Sequence, residues 1–242
     1  MGQFDDAKEL VEHCKPTFKK IEQAYQESLH DREIKKTLLI EIKNFMENLR
    51  SALDFTAHGL FDKYGTSASS KPRIYFPYAW ASLDKPHFQS QNIIEKNLPG
   101  VTANRPDIAS KIESYQHFEN ASNNWLPKFM ELNNENKHQQ LTPQIRKESK
   151  QLNISSGGAT ISLGEGASIS LGEGASISFG NLVIPGGQSF DTNNPAKIVG
   201  QGKQEIIIWV SFLFSTNNEL VLPLLKQTLD GTEKIINELS VI

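Results

Sequence analysis

An eight-residue unit occurs three times without interruption: Gly158-Ala159-Thr160-Ile161-Ser162-Leu163-Gly164-Glu165, Gly166-Ala167-Ser168-Ile169-Ser170-Leu171-Gly172-Glu173, and Gly174-Ala175-Ser176-Ile177-Ser178-Phe179-Gly180-Asn181. Within each unit the apolar residues take odd positions, and Ser or Thr takes the even ones. A period of two puts one face of a strand in a core and the other in water. The Gly-Glu-Gly between blocks suits a three-residue hairpin loop whose last glycine is left-handed. Pairing Leu163 with Ala167, and Leu171 with Ala175, would then make an antiparallel meander with all its apolar side chains on one face. A flat serine-faced sheet of this kind could also pair edge to edge with another copy.

The chain before the repeats follows a different period. Phe4, Leu10, Val11, Phe18, Ile21 and Tyr25 recur at helical spacing over residues 4–29, with Pro16 predicting a kink or a break. Asp31 is the expected N-cap of a longer helix reaching Tyr64 and stopped by Gly65. Its stripe of Ile34, Leu38, Ile42, Phe45, Leu49, Leu53, Ala57 and Leu60 steps by three or four. A helix of about 30 residues is ~45 Å long and needs neighbours along its whole length, which a bundle supplies. Pro77 keeps the aromatic segment from Ile74 to Trp80 extended, so this segment is expected to cross the bundle with its rings buried. Further helices are expected over 107–118 and 124–132, and a polar connection over 133–151.

After the repeats, strands are expected at 182–184, 196–199 and 205–214, and Gly186-Gly187 forms a turn. The last strand is apolar at nearly every residue, which predicts a central position covered on both faces. Pro223 suits the first turn of a closing helix whose apolar side would cover the sheet. The expected class is α+β: a helical bundle over 1–150, then a small antiparallel sheet packed by a C-terminal helix over 151–242.

Composition narrows the function classes. A net charge of −3 over 242 residues argues against a broadly basic nucleic-acid surface. Cys14 is the one cysteine, so no internal disulfide forms, and it suits packing in a reducing compartment. The acidic start MGQFDDAKEL lacks a secretory layout, and the longest apolar run, Ile206 to Phe214, is about half the ~20 residues a spanning helix needs. A cytoplasmic protein without a membrane segment is expected. No metal-ligand spacing, dinucleotide or Walker fingerprint, or nucleophile elbow is present in the sequence, so neither metal nor cofactor is expected.

The residues with chemical potential lie mainly on the long helix. Arg50, Asp54 and His58 are four apart, which stacks them within roughly 80° of arc. Asp54 could pair with Arg50 and orient His58. An arginine for phosphate and a histidine for proton transfer would suit RNA cleavage without metal. The competing interpretation is a solvated ion-pair ladder contributing ~0.3–0.5 kcal/mol per pair. Asn136, Lys137 and His138 follow an expected helix end at Leu132, where a cation is favoured by the helix dipole alone. Gln116 and His117 form a third polar group, expected at the surface.

Four segments carry a resemblance: Asn48-Leu49-Arg50-Ser51-Ala52-Leu53-Asp54, Phe76-Pro77, Ile112-Glu113-Ser114-Tyr115-Gln116, and Leu132-Asn133-Asn134-Glu135-Asn136-Lys137-His138. Their order and spacing over residues 35–140 resemble a family of bacterial helical proteins with no assigned activity. In that family the last motif usually ends Asp-Lys-His-Arg, where this chain has Asn136 and Gln139 at the two ends. More distantly, the long helix is similar to HEPN proteins, helical bundles that include RNases of toxin–antitoxin and phage-defence systems. Their motif sets four to six residues between Arg and His; here seven separate Arg50 from His58.

Two functions therefore stand side by side. One is a non-catalytic oligomerising or adaptor protein in a bacterial defence or stress setting, with a second copy or another protein as partner. The other is a HEPN-like, metal-independent endoribonuclease acting on RNA. In the second, Arg50, Asp54, His58 and His138 are catalytic, and Gln116, Asn136 and Lys137 assist binding.

Overall fold

The computed structural model describes residues 2–27, 34–138, 141 and 143–242, and the side chains of residues 136–138 lie outside that description. The chain divides into a helical unit, Met1–Ile145 with Phe212–Ile242, and a strand unit, Arg146–Ser211.

In the helical unit, α1 (Gln3–Glu27) packs on α2 (Lys36–Tyr64), and both meet α8 (Val221–Ser240). The α2 stripe is buried as its period predicts, from Leu38 through Phe45, Leu49 and Leu53 to Leu60. The expected cap Asp31 lies outside the described residues, and the helix begins after Lys35. Helix α1 runs unbroken through Pro16, because Val11, Cys14, Phe18 and Ile21 continue one buried face across it. Burial against α2 offsets the ~3 kcal/mol that an interior proline costs. Burial also pushes the Cys14 thiol up to about 12, so it stays protonated and packs rather than reacts.

Between α2 and the next long helix lie α3 (Lys85–Ser90), α4 (Ile93–Asn97), α5 (Val101–Asn104) and α6 (Pro106–Ser114). Arg105 precedes α6 and clasps Asp107 with two bonds of 2.9 and 2.7 Å. Asp107 therefore stands in the first turn instead of capping it. Helix α7 (Trp125–His138) extends six residues past the expected end at Leu132, because Asn133 is buried at 4% exposure and bonded to α2. Helix α8 contains Pro223 in its first turn, as expected. Its apolar side is met by α1, α2 and α7, which corrects the expectation that it covers the sheet.

In the strand unit the expected connection over 144–151 is instead part of a strand, β1 (Gln144–Ser156). It turns through Gly157 and Gly158, both left-handed at φ 59° and 82°, into β2 (Ala159–Gly164). Two left-handed residues make the tight hairpin turn that matches strand twist. Ile154 accordingly faces Ile161, and Leu152 faces Leu163. The remaining strands are β3 (Ser168–Leu171), β4 (Ser176–Phe179), β5 (Asn181–Pro185), β6 (Gln188–Asp191), β7 (Val199–Gln201) and β8 (Lys203–Phe214).

The three repeats do not form a meander. Sheet orders are β2-β1-β8, β3-β6 and β4-β5-β7, with Ile169 opposite Phe190 and Ile177 opposite Ile184. The Gly-Glu-Gly loops turn the chain without returning it beside the preceding strand, although Gly166 and Gly174 are left-handed as expected, at φ 80° and 82°. The Ile, Leu and Phe residues of the repeats still point inward, whereas Ala159, Ala167 and Ala175, also at odd positions, are exposed. Leu152, Ile154, Leu163, Leu182, Ile184 and Phe190 form one core, with Ile161, Ile169 and Ile177 against it. The final strand is also corrected: β8 lies at a sheet edge, and Ile206, Ile208 and Trp209 are 43, 54 and 57% exposed.

Gly231 in the middle of α8 tests the packing of the helical unit. A β-carbon there would stand 2.2 Å from Cζ2 of Trp125. Glycine-to-alanine in a helix ordinarily stabilises by roughly 0.5–1 kcal/mol. Overpacking against a buried indole costs about 1–3 kcal/mol. Gly231→Ala is expected to lower stability, read as a lower urea midpoint at unchanged helical signal; a raised midpoint would refute this packing.

Candidate functional site

The segment from Ile74 to Trp80 is extended and has no strand beside it among the described residues. Its backbone polar groups are met by side chains instead. Asp54 Oδ1 accepts from the Phe76 N–H at 3.0 Å, and Gln116 Oε1 accepts from the Ala79 N–H at 2.8 Å. Gln116 Nε2 donates to the carbonyls of Ile112, at 2.9 Å, and Pro77, at 3.3 Å. Three of these bonds fasten the segment, one from Asp54 on α2 and two from Gln116, whose fourth bond ties its own amide to Ile112 of α6. Phe76 and Ala79 are buried as a result, while Tyr75 and Trp80 remain 46 and 44% exposed, contrary to the expectation that all the rings would be covered.

Arg50 sits beneath this segment. Its Nε donates to Asp54 Oδ2 at 3.2 Å, its guanidinium lies 5.5 Å from the centre of the Tyr78 ring, and its Nη1 meets Met130 Sδ. The side chains of Arg50 and Asp54 are only 21 and 23% exposed, so this is not the open ladder that the helical arc allows. Together with Tyr75, Phe76, Tyr78, Trp80 and Asn97, Arg50 lines a depression of about 180 Å³. A half-buried cation among aromatic rings can hold an anion and stack a flat ring.

The segments singled out in the sequence meet here. Asp54 joins the first motif to Phe76-Pro77, and Gln116 joins the third motif to the same strip. Asn133 Nδ2 donates to the Met46 carbonyl at 3.1 Å, and Asn134 Nδ2 lies 3.4 Å from the Tyr78 hydroxyl, bringing in the fourth. Much of what these residues do is structural. Gln116 in particular is fully buried, which corrects its expected surface position. Beside it, burial lowers the His117 pKa, and its enclosed Nδ1 has no hydrogen-bond partner among the described residues.

His58 lies one turn beyond Asp54 and is half-buried. Asp54 spends its two oxygens on Arg50 and Phe76, and among the described residues no hydrogen bond joins it to His58. The expected orienting role of Asp54 toward His58 is therefore absent from this geometry. Asn136, Lys137 and His138 close α7, but their side chains lie outside the described residues. Sequence spacing missed Tyr75, Tyr78 and Trp80 as rim residues; the clustering of aromatic residues around Pro77 was the available signal.

Among the described residues, no group of His, Cys, Asp and Glu side chains is arranged to hold a metal ion, and no helix is long and apolar enough to cross a membrane. No family model, curated protein or solved structure matches this chain.

The clamp is testable through Gln116. Gln116→Leu preserves volume but leaves the buried Ala79 N–H and the Pro77 carbonyl without their side-chain partner. Each unsatisfied buried group costs about 1–3 kcal/mol. We expect Gln116→Leu to lower stability by at least about 2 kcal/mol and to increase amide exchange at Ala79. Wild-type exchange at Ala79 would show that the segment is held by other means.

Proposed function

We propose that this chain is a non-catalytic, self-associating protein with an adaptor role, and that the occupant of its exposed sheet edge is a second copy. The observation that carries this reading is the sequence and exposure of β8. A long apolar edge strand is a ready template for pairing, which proteins ordinarily blunt with charge, proline or a bulge. Here Ile206 to Val210 is uninterrupted, with three of its five side chains strongly exposed.

The strand is self-complementary. In an antiparallel pair centred on Ile208, Ile206 stands opposite Val210, Ile207 opposite Trp209, and Glu205 opposite Ser211. No like charges face each other over that span. A two-fold dimer needs this kind of self-matching surface. The distant likeness of the long helix to HEPN proteins is what supports a defence or stress setting, and the buried lone thiol agrees with a cytoplasmic one.

A second reading rests on a different observation, the Arg50 depression with exposed Tyr75 and Trp80 at its rim. It is HEPN-like action on RNA, with Arg50 gripping phosphate and His58 or His138 moving the proton. RNA degradation lost in both His58→Ala and His138→Ala would support it; equal degradation by wild type and both variants would mean a contaminant.

For the first reading, light scattering on the eluting protein should give about twice the 27.1 kDa chain mass. Ile208→Lys sets two ammonium groups face to face across the two-fold axis. It should weaken self-association by at least about ten-fold with little change in unfolding midpoint. A monomeric wild type at roughly 100-micromolar concentration, where weak dimers of this affinity range still form, would overturn the proposal. A strand from another protein on β8 would appear as a monomer alone and a complex with that partner.

A further inference from the structure

A cavity of about 520 Å³ in the helical unit lies among α3, α4, α5 and α6, and neither reading above uses it. Its apolar lining comes from Phe88, Ile93, Ile94 and Ala109, each at most 9% exposed as a residue. Cavities of this size accept small organic molecules, and an apolar body is what such a lining desolvates favourably.

The charges at the cavity have one sign. Glu95 and Glu113 are among its lining residues, which include no Lys, Arg or His. Glu95 Oε1 accepts the Gly100 N–H at 2.7 Å, a bond that orients the carboxylate without neutralising it. Glu113 is 2.9 Å from Lys85, but Lys85 also meets Glu119 at 2.6 Å, so one cation is shared between two carboxylates. Counting Glu95, Glu113, Glu119 and Lys85 leaves two net negative charges beside the cavity. Gln89 Nε2 braces both Glu113 oxygens at 3.0 Å, holding the carboxylate in place.

The geometry points to a binding site for a small hydrophobic amine, with its apolar body against Phe88 and Ile94 and its ammonium at Glu95 and Glu113. An anion of the same shape would meet two lining carboxylates and no lining cation, with Lys85 behind Glu113 already shared between two carboxylates. A neutral analogue would retain the apolar contacts and lose the charge pairing, so the site discriminates by charge as well as by shape.

Titration calorimetry with naphthylethylamine, naphthylethanol and naphthylacetate separates these contributions on one apolar body. The amine should bind at least about ten-fold more tightly than the alcohol, and the acetate most weakly. Glu95→Gln should remove most of the amine's advantage while leaving the alcohol unchanged. Ser110→Trp, at an exposed lining position on α6, should fill the cavity and abolish binding of all three; an unchanged unfolding midpoint shows that it has folded. Equal affinity for amine and alcohol would overturn the proposal, as would amine binding untouched by Ser110→Trp. Because the cavity and β8 share no residue, either result leaves the self-association test independent.

Discussion

An extended strip of backbone laid against helices has no sheet to satisfy its hydrogen bonds, and that constraint organises the helical unit. A buried N–H or C=O left unmade costs more than a typical net hydrogen bond returns. Asp54 of α2 and Gln116, just after α6, supply the partners for residues 76, 77 and 79, and each therefore belongs to the tertiary structure as much as to its own stretch of chain. Once the strip is seated, Tyr78 has a defined place beside Arg50, and Tyr75 and Trp80 are left facing outward. The polar residues that stand out on α2 are thus the attachment points of the segment that crosses it.

The same arrangement explains why proximity in sequence is a poor guide to chemistry here. Arg50, Asp54 and His58 share one arc of a helix, yet Asp54 is committed to Arg50 and to the Phe76 amide. Among the described residues, no hydrogen bond joins that carboxylate to the His58 imidazole. The spacing of a possible triad was legible, but its partners were contributed from residues more than twenty positions away. Gln116 shows the same limit from the other direction: its neighbours in sequence suggest a surface, while its amide closes a buried set of bonds between α6 and the strip.

The strand unit separates two kinds of information. Which side of each octad faces inward depends on the two-residue period of an extended backbone, and the odd-numbered Ile, Leu and Phe residues do pack on the core while the alanines stay exposed. Which strand lies beside which is a choice among similar edges. Ile161 pairs with Ile154 because the Gly157-Gly158 turn brings β1 back first, leaving the later repeats to pair with β5 and β6. Near-identical repeats cannot encode that choice by themselves, since each offers the same alternating Ser and Ile to any neighbour.

The sequence by itself determined the two periods, the buried stripe of α2 and the inward face of the Ile, Leu and Phe residues in the repeats, but not the division of the chain, which returns residues 212–242 to the helical unit. These follow from local backbone geometry and from the sign of each side chain's preference for water. Only the tertiary structure decided that α1 passes unbroken through Pro16, that α8 joins α1, α2 and α7, and that β8 ends as an exposed edge. Those outcomes depend on which distant surfaces meet, because the energy of burial is gained at the partner and is not written at the residue itself.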